Sequence, residues 1–211
     1  MTGGTKGRLL AAAEVLFAQH GIDHVRLTEV NERAGVRNDS AVSYYFGSRE
    51  GLVAAILDHH HQEIAEVLQA LDAARPADGR TARDAIDLLA QTLADRLGTP
   101  SGRAYLQVLG EVFARGVAFP TLDEDVERPV PLAAVQDAVV VQLADIEQHL
   151  QHLPADLQVE RLHRLSDFVV AAFAARARSE DRGDDLRIGS DAFVCDLVDM
   201  ATAAALAPST A

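Results

Sequence analysis

Between residues 8 and 57 the chain alternates short apolar stripes with glycines, and this pattern constrains the fold more than any other feature. Apolar residues recur at helical spacing from residue 6 until Gly21 ends the first segment. A second, shorter stripe stops at Gly35, which can adopt the positive φ of a sharp turn. A third stripe ends at Gly47. The spacing therefore predicts two short helices joined by a tight turn, with a helix before them and another after them.

Capping residues place the starts of these helices. Thr28 is predicted to cap the second helix, and residues 38–40, Asn-Asp-Ser, offer caps for the third. After a glycine-serine pair, a longer helix is predicted to begin at Arg49 and to end before a linker at 75–79. Two short helices on a glycine turn, braced on both sides, follow the helix-turn-helix plan, whose second helix enters the major groove of DNA.

The residues of this region also carry a family resemblance. The segments LLAAAEVLFAQHG, LTEVNERAGV and SAVSYYFGSREGLVAAIL resemble the N-terminal DNA-binding domain of the tetracycline-repressor-like (TetR) transcription regulators. The segment 34–46 is one residue longer than the commonest family spacing, and the family's usual Leu-Tyr reads Val42-Ser43. The resemblance implies a DNA-binding head and an all-helical body that dimerises through its final two helices and binds a small effector. It also implies a palindromic DNA site.

The predicted fold class is all-α, with a head at residues 1–50, a connecting fourth helix at 51–75 and a body at 76–211. The net charge is −13, yet the head holds six basic and six acidic side chains, so the whole negative excess lies in the remainder. We expect DNA phosphates to repel that remainder, which helps to orient the neutral head toward them.

Several head residues have the chemistry of DNA contacts. Tyr44 and Tyr45 are adjacent on a helix, about 100° apart, so at least one phenol is expected to project outward. Arg49 is expected to hold a phosphate, since a cation gains nothing from the dipole at a helix N-terminus. Ser40 and Ser43 would allow close approach to a groove, or they are plain surface serines. The predicted DNA-binding residues are Thr28, Arg37, Asn38, Ser40, Ser43, Tyr44, Tyr45, Ser48 and Arg49.

The body is predicted to contain five helices, at 81–97, 101–115, 132–153, 155–178 and 190–206, with a proline-broken loop at 116–131. The last helix is apolar around nearly its whole circumference, so it needs cover from its own body and from a second copy of the chain. The residues predicted for the homodimer interface are Leu165, Val169, Phe173, Phe193, Leu197, Met200 and Ala204.

An effector pocket is predicted between the helices that flank the proline-broken loop, with that loop as its mouth. Thr92, Tyr105 and Gln136 would orient a ligand in an otherwise apolar cavity. Because residues 123–125 are acidic and basic residues are few, a neutral or cationic compound is favoured over an anion. Ordinary helix packing without a cavity is the alternative. The predicted lining is Leu89, Thr92, Tyr105, Leu109, Val112, Phe113, Gln136, Val140 and Leu143.

Metal and catalytic sites find little support in the sequence. The run His59–His61 cannot converge on one metal ion from consecutive helical positions, and His60 is expected to be partly buried instead. His149 and His152 could chelate a metal, although a solvated face is the expectation. No phosphate loop, nucleophile elbow or metalloprotease signature occurs, so neither an enzyme nor a cofactor is expected.

Cys195 is the only cysteine, so no intrachain disulfide can form, and a small buried apolar role is expected for it. No apolar run approaches the roughly 20 residues of a membrane span, and the N-terminus lacks a signal-peptide pattern. We therefore expect a cytoplasmic transcription regulator, and favour a repressor that a small-molecule effector releases from a palindromic operator. The alternative is an acidic helical protein whose body binds a protein partner.

Overall fold

The computed structural model describes residues 4–74, 80–115 and 143–209. Within these ranges the chain is helical and contains no strand, which confirms the all-α prediction. A short helical segment at 143–148 precedes the last two helices. The predicted linker, the proline-broken loop and most of the helix predicted at 132–153 lie outside the described residues. The helices are α1 (Thr5–His20), α2 (Leu27–Arg33), α3 (Ala41–Phe46), α4 (Arg49–Ala73), α5 (Ala82–Leu97), α6 (Pro100–Ala114), α7 (Ala155–Arg182) and α8 (Ser190–Leu206).

Capping side chains fix three of the helix starts. Ser48, Thr81 and Thr99 precede α4, α5 and α6, and each hydroxyl accepts a hydrogen bond from the backbone N–H three residues later. α7 continues four residues beyond its predicted end and stops at Gly183, whose φ of +70° suits a residue without a side chain. The local chemistry of the sequence therefore determines these boundaries.

The start of α2 differs from the prediction. Arg26 is the N-cap residue, and its backbone N–H donates to Glu29 Oε2 at 2.9 Å. This backbone hydrogen bond, with a second one from the guanidinium, lowers the pKa of Glu29. Thr28 lies inside the first turn and is exposed, so its predicted capping role is wrong. The physical reason is that a glutamate at the third helical position can return to the cap and replace a capping hydroxyl.

The head has its own small apolar core. Phe17 of α1, Val30 of α2 and Val42 of α3 are at most 1% exposed and pack with the apolar side of α4. The end of α3 lies so close to α4 that a Cβ on Gly51 would stand 2.0 Å from the carbonyl oxygen of Phe46. Only glycine fits there, so Gly51 fixes the approach of α3 to the helix that leads into the body.

α6 is the central helix of the body. It packs against α1 of the head, against α4 and α5, and against α7. Leu106 and Val108 are buried on it. A Cβ on Gly110 would lie 2.5 Å from Cβ of Ala174 on α7, so these two helices are in close contact. The head and the body therefore meet along α6 as well as through α4.

The last two helices form one packed unit. The rings of Phe173 on α7 and Phe193 on α8 meet edge to face at 5.4 Å between centroids. Arg176 covers the Phe193 ring at 5.3 Å, and its Nη1 donates to the carbonyl of Ile188 at 2.9 Å. Its Nε donates to Glu180 at 2.7 Å. Aromatic packing thus holds α7 against α8, and one arginine fixes the connection between these two helices.

Burial corrects part of the predicted dimer interface. Four of its residues lie in the core of the single chain, at 8% exposure or less: Leu165, Val169, Phe173 and Leu197. Phe193 is half-buried, whereas Met200 and Ala204 are exposed. The periodicity of the sequence could not distinguish the inner face of each helix from its outer face, because α8 is apolar around almost its whole circumference and α7 carries a wide apolar stripe. For the same reason the prediction for Cys195 is wrong, since Val194 and Leu197 take the inner face and leave it exposed.

None of the helices within the described ranges is long and apolar enough to cross a membrane. In the same part of the chain, no group of three or more His, Cys, Asp or Glu side chains is placed to hold a metal ion. A ring nitrogen of His149, predicted as a possible chelator, lies 3.2 Å from the carbonyl oxygen of Arg80.

Candidate DNA-binding surface

The connection between α2 and α3 is held by a glycine turn and two hydrogen bonds. Gly35 turns the chain with φ of +66°, and the backbone N–H of Val36 donates to the carbonyl of Asn31 at 2.9 Å. The Asn31 side chain is buried, and its Nδ2 donates to the carbonyl of Asp39 at 2.8 Å. Asn31 was not among the predicted site residues. The only hint of its role in the sequence is that a polar residue stands next to the apolar stripe of α2. It holds α3 in a fixed position relative to α2.

The outer face of α3 carries two aromatic side chains. Val42 points into the core, while Tyr44 is 81% exposed and Tyr45 is 40% exposed. Their rings stand edge to face, 5.0 Å apart between centroids. The expectation that at least one phenol projects outward is confirmed. An exposed aromatic pair on the second helix of a helix-turn-helix can reach base edges or sugar-phosphate groups in the groove.

The loop before α3 offers a cation. Arg37 is exposed, and its guanidinium has no hydrogen bond or ion pair with the described part of the chain. Asn38 Oδ1 accepts a hydrogen bond from the backbone N–H of Ser40 at 3.0 Å, so this side chain also stabilises the turn. Eight of the nine predicted DNA-binding residues are exposed: Thr28, Arg37, Asn38, Ser40, Ser43, Tyr44, Tyr45 and Ser48.

Arg49 is the ninth residue, and the structure gives it a different partner. Its Nη1 donates to the carbonyl of Val25 at 2.6 Å and also to the carbonyl of Ile22. These carbonyls lie between α1 and α2, where no helical N–H is available to them. The sequence analysis predicted a phosphate contact for Arg49 and did not foresee these two carbonyl partners. The cation at the start of α4 is explained by the loop that it holds.

A second set of contacts joins the head to the body near the end of α6. The backbone N–H of Ile22 donates to both carboxylate oxygens of Glu111, at 3.0 and 2.9 Å. Arg115 pairs with Glu111 at 2.7 Å and with Asp23 at 2.9 Å. The connection between α1 and α2, which Arg49 holds from one side, is thus bound to the body from the other.

A polar cluster joins α1, α4 and α6; its Glu14 and His60 side chains are buried, whereas Ser101 lies at its exposed edge. Glu14 Oε2 lies 2.9 Å from His60 Nε2, and Ser101 Oγ donates to Glu14 Oε1 at 2.6 Å. The His60 ring stacks on Tyr105 at 4.5 Å. Glu14 is 4% exposed and His60 is 3% exposed, so His60 is buried more fully than expected. We name Glu14, His60 and Ser101 the junction cluster.

The two aromatic rings beside the Glu14–His60 pair, those of His61 and Tyr105, are buried. Desolvation by burial lowers the pKa of His61 to about 4, and the nearby His60 adds to the effect. Burial also raises the pKa of the Tyr105 phenol above its ordinary value. Both rings pack against each other, with centroids 6.1 Å apart. Polar groups in such a region depend on each other for hydrogen bonds.

The predicted effector pocket is described only in part. Gln136 and Val140 lie outside the described residues. Leu109, Val112 and Leu143 are buried, and Leu89 and Phe113 are half-buried. Thr92 Oγ1 donates to the carbonyl of Leu89 in its own helix, at 2.7 Å. The Tyr105 ring packs against His60 and His61, which places this residue at the junction with the head.

Residues 9–56 match the family model of the bacterial regulatory proteins, tetR family. The head is a TetR-family DNA-binding domain. The match contains α2, α3 and the start of α4, and therefore every exposed residue described on this surface. No curated protein is significantly similar to the chain in sequence.

Solved structures extend the similarity to the whole fold. A TetR family transcription regulator from Marinobacter aquaeolei VT8 is 17% identical, with a TM-score of 0.58 over 95% of this chain and 94% of that one. A tetR-family regulatory protein from Rhodococcus RHA1 is 15% identical, with a TM-score of 0.57 over 99% and 100%. NalD of Pseudomonas aeruginosa, the secondary repressor of the MexAB-OprM multidrug efflux pump, is 18% identical, with a TM-score of 0.52 over 93% and 94%. The chain therefore shares its overall all-helical fold with these three structures.

Proposed function

We propose that this protein is a homodimeric transcription repressor that binds a palindromic operator and that a small molecule releases. The observation that carries the proposal is the exposed Tyr44 and Tyr45 pair on α3, within a TetR-family head. The tyrosines would contact the groove, and Arg37 with the exposed serines would contact the backbone. The head has no net charge, so a dimer that engages two half-sites would supply much of the affinity.

The proposal is tested by gel shift on the DNA that flanks the protein's own gene. Tyr44→Ala and Tyr45→Ala are each expected to weaken binding about tenfold, because each removes a groove contact worth roughly 1–3 kcal/mol. Arg37→Gln is expected to lower the salt slope by about one, since one phosphate contact is lost. Ile188→Ala is a matched control, as it removes an exposed apolar side chain of the body.

The fold of each variant is checked by circular dichroism. Both tyrosines are exposed, so the helix content is expected to stay at the wild-type value. Dissociation constants that do not change in either tyrosine variant, with the fold intact, would remove α3 from the DNA interface.

We propose the domain division predicted from the sequence: a head at 1–50, a connecting helix at 51–75 and a body at 76–211. Two packing contacts support it. The first turns of α4 complete the head core, with Leu52 and Ile56 fully buried, and later turns pack against α5 and α6. α4 thus belongs to both parts and could transmit a shift of the body to the head.

A dimer is proposed through the outer faces of α7 and α8. Phe168 and Met200 are 36% and 51% exposed, and alanines surround them on the same faces. Small residues let two helix pairs approach closely, and a second copy would present the same surface in an isologous interface. From the predicted set, Met200, Ala204 and the half-buried Phe193 remain as candidates.

The effector is proposed to be a neutral or cationic apolar compound that binds between α5, α6 and the segment after the proline-broken loop. The apolar side chains of Leu109, Val112 and Leu143 support the location. Thermal-shift screening of hydrophobic cations and neutral metabolites is expected to find a compound that raises the melting temperature and releases operator DNA. Failure of every compound in these two classes to do so, or a crystal structure with this region packed solid, would contradict the proposal.

A further inference from the structure

A cleft of about 480 Å³ opens between the head and the body, away from the proposed effector pocket. Val15 and Ala18 of α1 and Ala104 of α6 give it apolar walls. The last turns of α7 give it a charged wall, formed by Arg178, Asp181 and Arg182. Its volume lies within the range of about 300–1,000 Å³ that is usual for small-molecule sites. The cleft is therefore large enough for a ligand with both apolar and charged groups.

The charged wall has one cation without a partner. Both oxygens of Asp181 are occupied, Oδ1 by Arg103 Nε and Oδ2 by Gln107 Nε2 at 2.8 Å. Arg182 pairs with Asp184. Arg178 is exposed, and its guanidinium makes no hydrogen bond or ion pair with any described residue. The carboxylate in the cleft is thus neutralised, while a guanidinium remains available to an anion.

We propose that this cleft binds a small organic anion, a carboxylate on an apolar ring system. Arg178 would hold the carboxylate, and the ring would pack against Val15, Ala18 and Ala104. The rest of the chain beyond the head is strongly acidic, so a local cation here selects an anion that the remaining surface would repel. The site does not depend on the proposed DNA binding or on the proposed effector pocket.

The position of the cleft gives its occupant a structural effect. α1 belongs to the head, whereas α6 and α7 belong to the body, so a bound molecule contacts both parts. The same α1–α6 contact contains the junction cluster. A ligand in the cleft would therefore stabilise one orientation of the head relative to the body.

The test uses isothermal titration of the full chain with 1-naphthoate and with 1-naphthamide, its neutral counterpart of nearly the same shape. Naphthoate is expected to bind more tightly than the amide. Arg178→Gln is expected to weaken naphthoate binding about fivefold, the size of one partly exposed ion pair, and to leave amide binding unchanged. Gln19→Lys adds a cation at an exposed position of the lining, and we expect it to strengthen naphthoate binding by a similar factor.

Arg187→Gln is the matched control, because Arg187 is an exposed arginine outside the lining and its loss changes the net charge equally. Its affinity for naphthoate is expected to equal that of the wild type. The proposal is overturned if naphthoate does not bind, if the amide binds equally well, or if Arg178→Gln and Arg187→Gln have the same effect. Both changed residues in the cleft are exposed, so the variants are expected to fold.

Discussion

Replacing Phe173 with aspartate is expected to unfold the protomer. The Phe173 side chain is 0% exposed and packs edge to face on Phe193, so an aspartate would place an unpaired carboxylate in the core. Such a burial costs several kcal/mol, which is comparable to the whole stability of a domain at roughly 5–15 kcal/mol. The helical circular dichroism signal at 25 °C is expected to fall sharply, or the urea midpoint to shift far downward.

Met200→Asp is the matched variant on the neighbouring helix. Met200 is 51% exposed on α8, so the same charge is expected to leave the helix content and the urea midpoint near the wild-type values. It is expected to convert the proposed dimer to monomers, as measured by light scattering. A folded Phe173→Asp protein would contradict the burial of α7, and a dimeric Met200→Asp protein would move the interface away from this face of α8.

Replacing Glu14 with alanine is expected to lower the free energy of unfolding by about 1–3 kcal/mol, because the buried His60 side chain loses its hydrogen-bond partner. His60 Nε2 and Ser101 Oγ would be left without the carboxyl oxygens that they now contact at 2.9 and 2.6 Å. Urea denaturation followed by circular dichroism measures the loss. The loss is expected in the head and the body together, because the junction cluster joins them.

The control is Glu66→Ala, which removes an exposed glutamate from α4 and is expected to change stability by less than about 0.5 kcal/mol. The double variant Glu14→Ala/His60→Ala should lose less than the sum of the two single variants, since both belong to one network. Equal effects of Glu14→Ala and Glu66→Ala would show that the junction cluster contributes nothing to stability.

The helices were predictable because their boundaries depend on local chemistry. Thr81 with Asp84, and Ser48 before α4, can form their capping bonds within one turn of chain. The exposed faces of the short helices were predictable for the same reason, because helical periodicity places Val42 and Tyr44 on different sides of α3. The head could also be recognised as TetR-like from the order of its motifs, and the family match over residues 9–56 confirms it.

The rest depends on contacts between distant parts of the chain. Glu14 meets His60 across 46 residues and Ser101 across 87, and no spacing rule connects them. The carbonyl partners of Arg49 could not be predicted, because they are supplied by a loop more than twenty residues earlier. On α8, apolar residues surround the helix, so only packing could show that Leu197 faces inward and Cys195 outward.

The most direct test of the proposed function is selection of binding sites from a pool of random duplex DNA with the purified full chain. We expect enrichment of one inverted repeat whose half-site centres lie about one helical turn, or 10 base pairs, apart, or a multiple of it. The complex on that repeat is expected to contain two chains. A pool that stays unenriched after successive rounds, with the protein folded, would contradict sequence-specific DNA binding.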